Sequence, residues 1–522
     1  MKKFVEAIEK CLVWLFVIIA IGILAVDIVF QNVDYYRRRD FVLPIFGFTL
    51  LSVGLLAIIF RVYKRNINFF QTILEKSDRI VLIGTFILLG IQAFICVNIF
   101  FMTGWDSGIL TANADYVANG QTEELWNWYY SRCPNNSLLT AIFAVIFWCV
   151  EHLGVSSKMV RVIIALLQCG ISSLTGYLLY QCAKKWFKVS VAPIALWILY
   201  VFVQGLSPWV IIPYSDAFCL FMPVLLFRLY QLLSNKKYII PKCIAMGVIA
   251  YLGYEIKPMV IIVFIAIVGI ELLSNIKEKV KLKSWLVLGT LVISLICTAC
   301  ICKMVNLEKM MGFEINNEAN FGLTHYFMMG FNYEHSGVYI QEDADYSESI
   351  ATNAERQKEN IRIAKERIKE FGVIGLLKHE VRKTMVNFND GTFAWGQEGN
   401  FFGIALPIPK NPITKFLRNL YWDNGKYHVV YQTIAELFWM ICLIGCACNV
   451  FALKKNNINV VRSEYLVMIC SLIGIALFVM IFEARARYLY VYIPFYVLVA
   501  VKGYHLMYHS LFKNDSCNNS DE

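Results

Sequence analysis

The sequence predicts an all-α, polytopic transmembrane helical bundle of about twelve spans. Three observations carry that prediction. Of 522 residues, 58% are hydrophobic and 16% charged, against about 25% charged in a soluble domain. Nearly uncharged runs recur along the whole length, and about 20 apolar residues cross a hydrocarbon core about 30 Å thick. Lys and Arg collect in short loops between those runs, the bias that marks cytoplasmic loops.

The hydrophobic runs are 11–30, 41–60, 80–102, 137–150, 162–180, 191–210 and 217–226, then 238–252, 259–270, 285–302, 429–453, 465–482 and 488–500. No small-residue cleavage site follows the first, and the charged stretch 31–40 does, so it reads as a span and not a cleaved signal. Basic residues precede it at Lys2, Lys3 and Lys10, and collect at Arg61–Arg79, Lys184–Lys188, Lys236–Lys242, Lys277–Lys283 and Lys454–Arg462. Assigned to the cytoplasm, they place both chain ends there, in a multi-pass protein of the cell membrane. Arg37, Arg38 and Arg39 run against the scheme, which puts them outside with Asp34 and Asp40.

Thirteen runs are an odd number, and termini on one side need an even one. Three spans between Asp106 and Asp216 would also put those acids on opposite faces. One non-spanning run between them resolves both conflicts. The run 137–150 is the shortest of the three and follows a polar loop, so it is expected to be re-entrant or incomplete. The organisation is then an N-terminal hairpin and cytoplasmic loop (1–79), a core (80–305) with a first outer loop (103–136), a large outer loop (306–427), C-terminal spans (428–508) and a polar tail (509–522). In the large loop, 354–385 reads as a helix that Gly372 and Gly375 break or bend. It either lies on the membrane surface or packs on the rest of the loop.

Several function classes drop out. Nearly all sixteen cysteines sit in or beside apolar runs, and Cys133 alone is clearly exterior, so there is no disulfide framework. No metal-binding or nucleotide-binding motif occurs; His325 and His335 are isolated. No cofactor is assigned, and a divalent metal has no ligand set to support it. The net charge of +10 belongs to loops facing anionic lipid, and nucleic acid is not a partner.

Polar residues at the outer face carry the candidate chemistry. Asp106, in Gly104-Trp105-Asp106-Ser107, follows a span and stands beside an aromatic ring. A carboxylate there acts as a general base or caps the helix that follows. Asp216, in Pro213-Tyr214-Ser215-Asp216, precedes another span and admits the same two roles. In Glu483-Ala484-Arg485-Ala486-Arg487-Tyr488, two arginines sit at the outer end of a span. They bind a substrate phosphate through two-pronged hydrogen bonds, anchor to lipid headgroups, or pair with Glu483. Lys257 joins such a phosphate site or pairs with Glu255.

Together these elements resemble the GT-C glycosyltransferases, which include protein O-mannosyltransferases and the aminoarabinose transferase of lipid A. Trp105-Asp106, Tyr130 to Pro134-Asn135-Asn136, and Pro213 to Asp216 are similar to the subset in Gram-positive bacteria that decorates wall polymers. So are Thr324-His325-Tyr326-Phe327-Met328-Met329-Gly330 and Asn389-Asp390-Gly391-Thr392-Phe393-Ala394-Trp395-Gly396. The resemblance covers roughly 80–507. The chain departs from it where many relatives carry paired acids in the first outer loop, since Ser107 follows Asp106; the first two spans are an addition to the usual core.

The resemblance implies transfer of a sugar, with inversion, from a polyprenyl-phosphate donor to a hydroxyl of an outer acceptor: a wall polymer, glycolipid or protein. Asp106 would be the base and Asp216 would orient it or the acceptor. Arg485, Arg487, Tyr488 and Lys257 would hold the lipid phosphate. His325 and Glu334 are acceptor-side candidates, or polar residues satisfied within their own loop. A lipid-linked polysaccharide polymerase or ligase is the nearest alternative. A transporter, using acids such as Asp27 or Glu436, is the other, although no pair of similar halves is evident.

Overall fold

The computed structural model describes residues 1–30, 45–66, 73–187, 190–234, 237–278, 282–399, 409–453 and 462–512. Among them, regular structure is helical, with no strand. Eleven stretches are long and apolar enough to cross a bilayer, and two apolar stretches are shorter, Thr49–Ile59 and Ala192–Gly205. The polytopic helical bundle anticipated from composition is the observed architecture. Arg37, Arg38, Arg39 and the tail from 513 lie outside the described residues.

Ion pairs sort the helix ends. Glu9 at the start of α1 (Lys2–Val29) meets Lys277 at 2.7 Å. Asp78 at the start of α2 (Ser77–Ile99) meets Lys184 near the end of α3 (Ser157–Trp186) at 2.7 Å. Lys185 meets Glu464, at the start of α4 (Ser463–Ile481), at 2.6 Å. These residues share one end of the bundle, the basic end. At the opposite end the α1 terminus receives a hydrogen bond from Asn389 to Phe30 O (3.5 Å).

This sorting bears on the run between Asp106 and Asp216. The helix α2 leaves the basic end, and α3 returns to it, so Ile99 and Ser157 both lie at the far end. Between them, Asp106–Ala118 and Ser137–Glu151 pack side by side. Asn119 bonds Glu151 at 3.0 Å, and Asp115 pairs with Arg161 at 3.1 Å and bonds Ser157, so Glu151 stays beside the start of α3. Asn136, just before the second helix, bonds Tyr129 at 2.6 Å in the far-end loop. The run 137–150 therefore enters and leaves at the same end, although it counts among the eleven by length and composition. Asp106 and Asp216 share an end, because Tyr214, two residues before Asp216, bonds Asp106 at 3.0 Å.

The described residues of 306–427 build a helical layer there. Asn353–Phe388 is its longest helix, and it is interrupted at Gly372 (φ 56°), a left-handed conformation that glycine adopts without penalty; Gly375 stays helical. Lys383 docks this layer to the bundle. Its Nζ donates to the carbonyls of Gly330 (2.9 Å), Met480 (2.6 Å) and Phe482 (2.7 Å), which takes up unpaired carbonyls at the end of α4.

A second device is the buried turn-rich segment 389–399. Backbone buried at this depth needs partners, and each comes from a named residue. Asp390 accepts from Thr392 N (2.8 Å) and Ala394 N (2.6 Å). Trp209 Nε1 donates to Thr392 O at 3.1 Å, and Glu436 accepts from Gly391 N at 2.7 Å. A Cβ on Gly391 would stand 2.4 Å from Ala435 O, so the approach requires glycine. Phe393 and Ala394 carry positive φ (55° and 61°), a cost the surrounding bonds offset.

Candidate functional site

Charged residues alternate with alanine along 483–487. In extended backbone, alternate side chains share a face, and Arg485 is extended (φ −153°, ψ 122°). Glu483 and Arg485 thus face the site, while Ala484 donates its backbone N–H to Gly337 O at 2.8 Å. Arg487 follows in the short turn that leads into the last span.

These residues form one network. Arg485 Nε donates to Glu483 Oε1 (2.6 Å), and its Nη1 to Glu398 Oε2 (2.9 Å). Arg487 Nε lies 3.2 Å from the same Glu398 oxygen and 3.8 Å from Asp216 Oδ2. Lys257 pairs with Asp216, both buried. Tyr488 donates its hydroxyl to Glu483 Oε2 at 2.6 Å. Three cations, Lys257, Arg485 and Arg487, therefore face three carboxylates, Asp216, Glu398 and Glu483.

Aromatic rings wall the cluster. The Arg487 guanidinium lies 4.7 Å from the Trp105 ring centroid and 5.4 Å from that of Tyr214, within cation–π range. Lys257 Nζ lies 5.1 Å from the Tyr488 centroid. Burial, with Arg487 adding to it, lowers the proton affinity of Lys257, which Asp216 opposes. Burial works to raise Glu483, but Arg485, the Tyr488 hydroxyl and Arg487 together bring its carboxyl below the usual range.

Asp106 joins through Tyr214, whose hydroxyl donates to Asp106 Oδ2 at 3.0 Å. Asp106 is the first residue of its helix, after Trp105 at the N-cap, and Asp216 is the second of its own, after Tyr214 at the N-cap. Neither acid thus acts as the cap that position alone suggests. Asp216 is engaged by Lys257 and approached by Arg487, so Tyr214, and not Asp216, is the residue bonded to Asp106. A cavity of about 140 Å³ lies beside this helix start, lined by Thr103, Gly104, Ser107, Arg161 and Pro213 among others.

The structure brings together Asp106, Asp216, Lys257, Arg485, Arg487 and Tyr488. The other two candidates lie in the outer layer, His325 within electrostatic reach of Glu483. His325 Nδ1 meets Ser347 Oγ at 2.8 Å inside the outer layer, and Glu334 is exposed. Lys257 pairs with Asp216 and not with Glu255. Sequence reasoning missed Glu398, which nothing in its local pattern marks. It also missed Tyr214 and Trp105 as partners, although both adjoin the acids it singled out. Among the described residues, no group of three or more His, Cys, Asp or Glu is arranged to hold a metal.

A family model described as a conserved hypothetical integral membrane protein matches residues 3–506. No curated protein matches the chain.

Proposed function

The chain belongs to the family of conserved hypothetical integral membrane proteins, and from that premise we infer that it is a glycosyltransferase using a sugar linked to polyprenyl phosphate. The observation that carries this reading is the connection of Arg487 to Asp106. A guanidinium buried among aromatic rings and a half-buried carboxylate meet the same tyrosine, Tyr214, at one end of the bundle. A cation for a leaving phosphate and a base for an incoming hydroxyl are the two groups the transfer needs.

In this mechanism Asp106 takes the proton of an acceptor hydroxyl as its oxygen attacks the anomeric carbon. The bond from that carbon to the phosphate oxygen breaks, and its electron pair leaves with the polyprenyl phosphate. Attack opposite the leaving group inverts the centre. Arg487 and Arg485 neutralise the departing phosphate. Lys257 holds Asp216 in place beside Arg487, and Tyr214 orients Asp106. The basic loops at the opposite end support an outward-facing site and cytoplasmic termini.

The test is release of the polyprenyl carrier from a panel of polyprenyl-phosphate hexoses and polyprenyl-linked oligosaccharides by purified protein with wall-polymer, glycolipid and peptide acceptors. Release by the wild type and not by Asp106→Asn is expected. Transfer of intact oligosaccharide chains with no single-sugar transfer would favour a polymerase or ligase. No release under any condition sinks the reading.

A further inference from the structure

The three carboxylates of the cluster are not held alike. Glu483 is fixed by Arg485 and by the Tyr488 hydroxyl at 2.6 Å. Asp216 is fixed by buried Lys257. The Glu398 carboxylate meets only the two arginines among the described residues, and it does so with a single oxygen, 2.9 Å from Arg485 Nη1 and 3.2 Å from Arg487 Nε. One acidic oxygen bridging two guanidinium groups is the arrangement a phosphate oxygen adopts between arginines.

We propose that Glu398 is a built-in competitor for the phosphate site: its carboxylate occupies the position of a donor phosphate oxygen and leaves when the lipid phosphate binds. This rests on the glycosyltransferase reading and adds a regulation of its site. Charge balance makes the exchange necessary. With Glu398 in place, three cations already face three contacting carboxylates, and Asp106 beyond Tyr214 adds a further carboxylate. A phosphate added beside it would press two anions onto the same guanidinium edges, a juxtaposition costly in a desolvated site. Replacing Glu398 by the phosphate removes one anion as another enters and leaves the pairs of Asp216 and Glu483 intact. The exchange also keeps the arginines paired and ordered while no donor is present, since an unpaired buried guanidinium is costly.

The experiment measures binding of farnesyl phosphate, with inorganic phosphate as a second probe, to full-length protein in detergent micelles. Glu398→Gln removes the competing charge and keeps the shape. It is expected to bind farnesyl phosphate at least about tenfold more tightly than wild type, with a smaller gain for inorganic phosphate. Arg487→Ala is expected to lose binding in both backgrounds. Should Glu398→Gln not fold, Glu398→Asp withdraws the carboxylate by one methylene and is expected to tighten binding to a lesser degree. Unchanged or weaker binding by the Glu398 variants, with Arg487→Ala still losing it, overturns the competitor and leaves the phosphate site standing. An equal gain for both probes also overturns the assignment to a lipid phosphate. Absence of binding by wild type and Glu398 variants alike overturns both the competitor and the phosphate site.

Discussion

Tyr214 donates its hydroxyl to Asp106 at 3.0 Å, across 108 positions of chain. The bond joins the first far-end loop to the start of a later span and places the ring of Tyr214 beside Arg487. It also separates what Asp106 does for stability from what it does for chemistry. An asparagine oxygen accepts the same hydrogen bond but cannot take a proton. Asp106→Asn is therefore expected to fold and melt like wild type while losing about 100- to 10,000-fold in transfer rate. Single-turnover transfer and thermal unfolding on the same preparation check this; transfer near the wild-type rate would leave Asp106 a structural acceptor only.

Arg487 combines charge, planarity and burial. Arg487→Lys keeps the charge and loses the flat face against Trp105 and the fork toward phosphate. Arg487→Ala also leaves Asp216 and Glu398 without their shared cation. Donor binding is expected to weaken in the order wild type, Lys, Ala. Folded Ala protein is expected to be less stable by about 3 kcal/mol, within the range for breaking a buried ion pair. Titration of farnesyl phosphate, normalised to folded protein, checks the order; full binding by a well-folded Ala variant removes Arg487 from the site.

The Lys257–Asp216 pair is buried on both sides. Lys257→Met and Asp216→Asn are each expected to destabilise the protein by about 3–5 kcal/mol, because each strands a buried charge. The double variant strands neither and is expected to recover most of the loss. Denaturation in mild detergent reads the cycle; additive losses would mean that the two residues act independently.

Burial of His325 lowers its proton affinity to a pKa of about 4 from 6.5, with Arg356 in the same direction and Glu483 and Asp343 opposing. The unfolded chain then binds a proton that the folded chain refuses between these values. The contribution is complete above pH 6.5 and is lost as pH falls toward 4, amounting to about 3 kcal/mol at most. Melting of the wild type is expected to fall across that window. His325→Gln, which still reaches Ser347, is expected to flatten the dependence; an unchanged slope would assign the acid sensitivity to other groups.

The path of the chain predicts its labelling. Glu123→Cys and His152→Cys flank the non-crossing run, and Lys237→Cys lies near the basic end; all three positions are exposed. In a background without exposed native cysteines, the first two are expected to react with an impermeant reagent from one face, and the third from the other. Opposite faces for 123 and 152 would make 137–151 a true span.

The sequence alone determined the membrane class, because apolar length and loop charge are local properties read without knowing contacts. It also carried the expectation that one run between Asp106 and Asp216 does not cross, because parity follows from counting once both chain ends are assigned to one side. The pairing of charges was decided only by tertiary structure. Glu398 reaches Arg485 and Arg487 from 87 and 89 positions away, carried by a buried segment whose shape depends on Trp209, Glu436 and Ala435. No local pattern encodes that approach. Likewise no local pattern encodes the contact of His325 with Ser347 in the outer layer. The direction of a side chain is set by the helices packed around it, and packing is a property of the whole bundle.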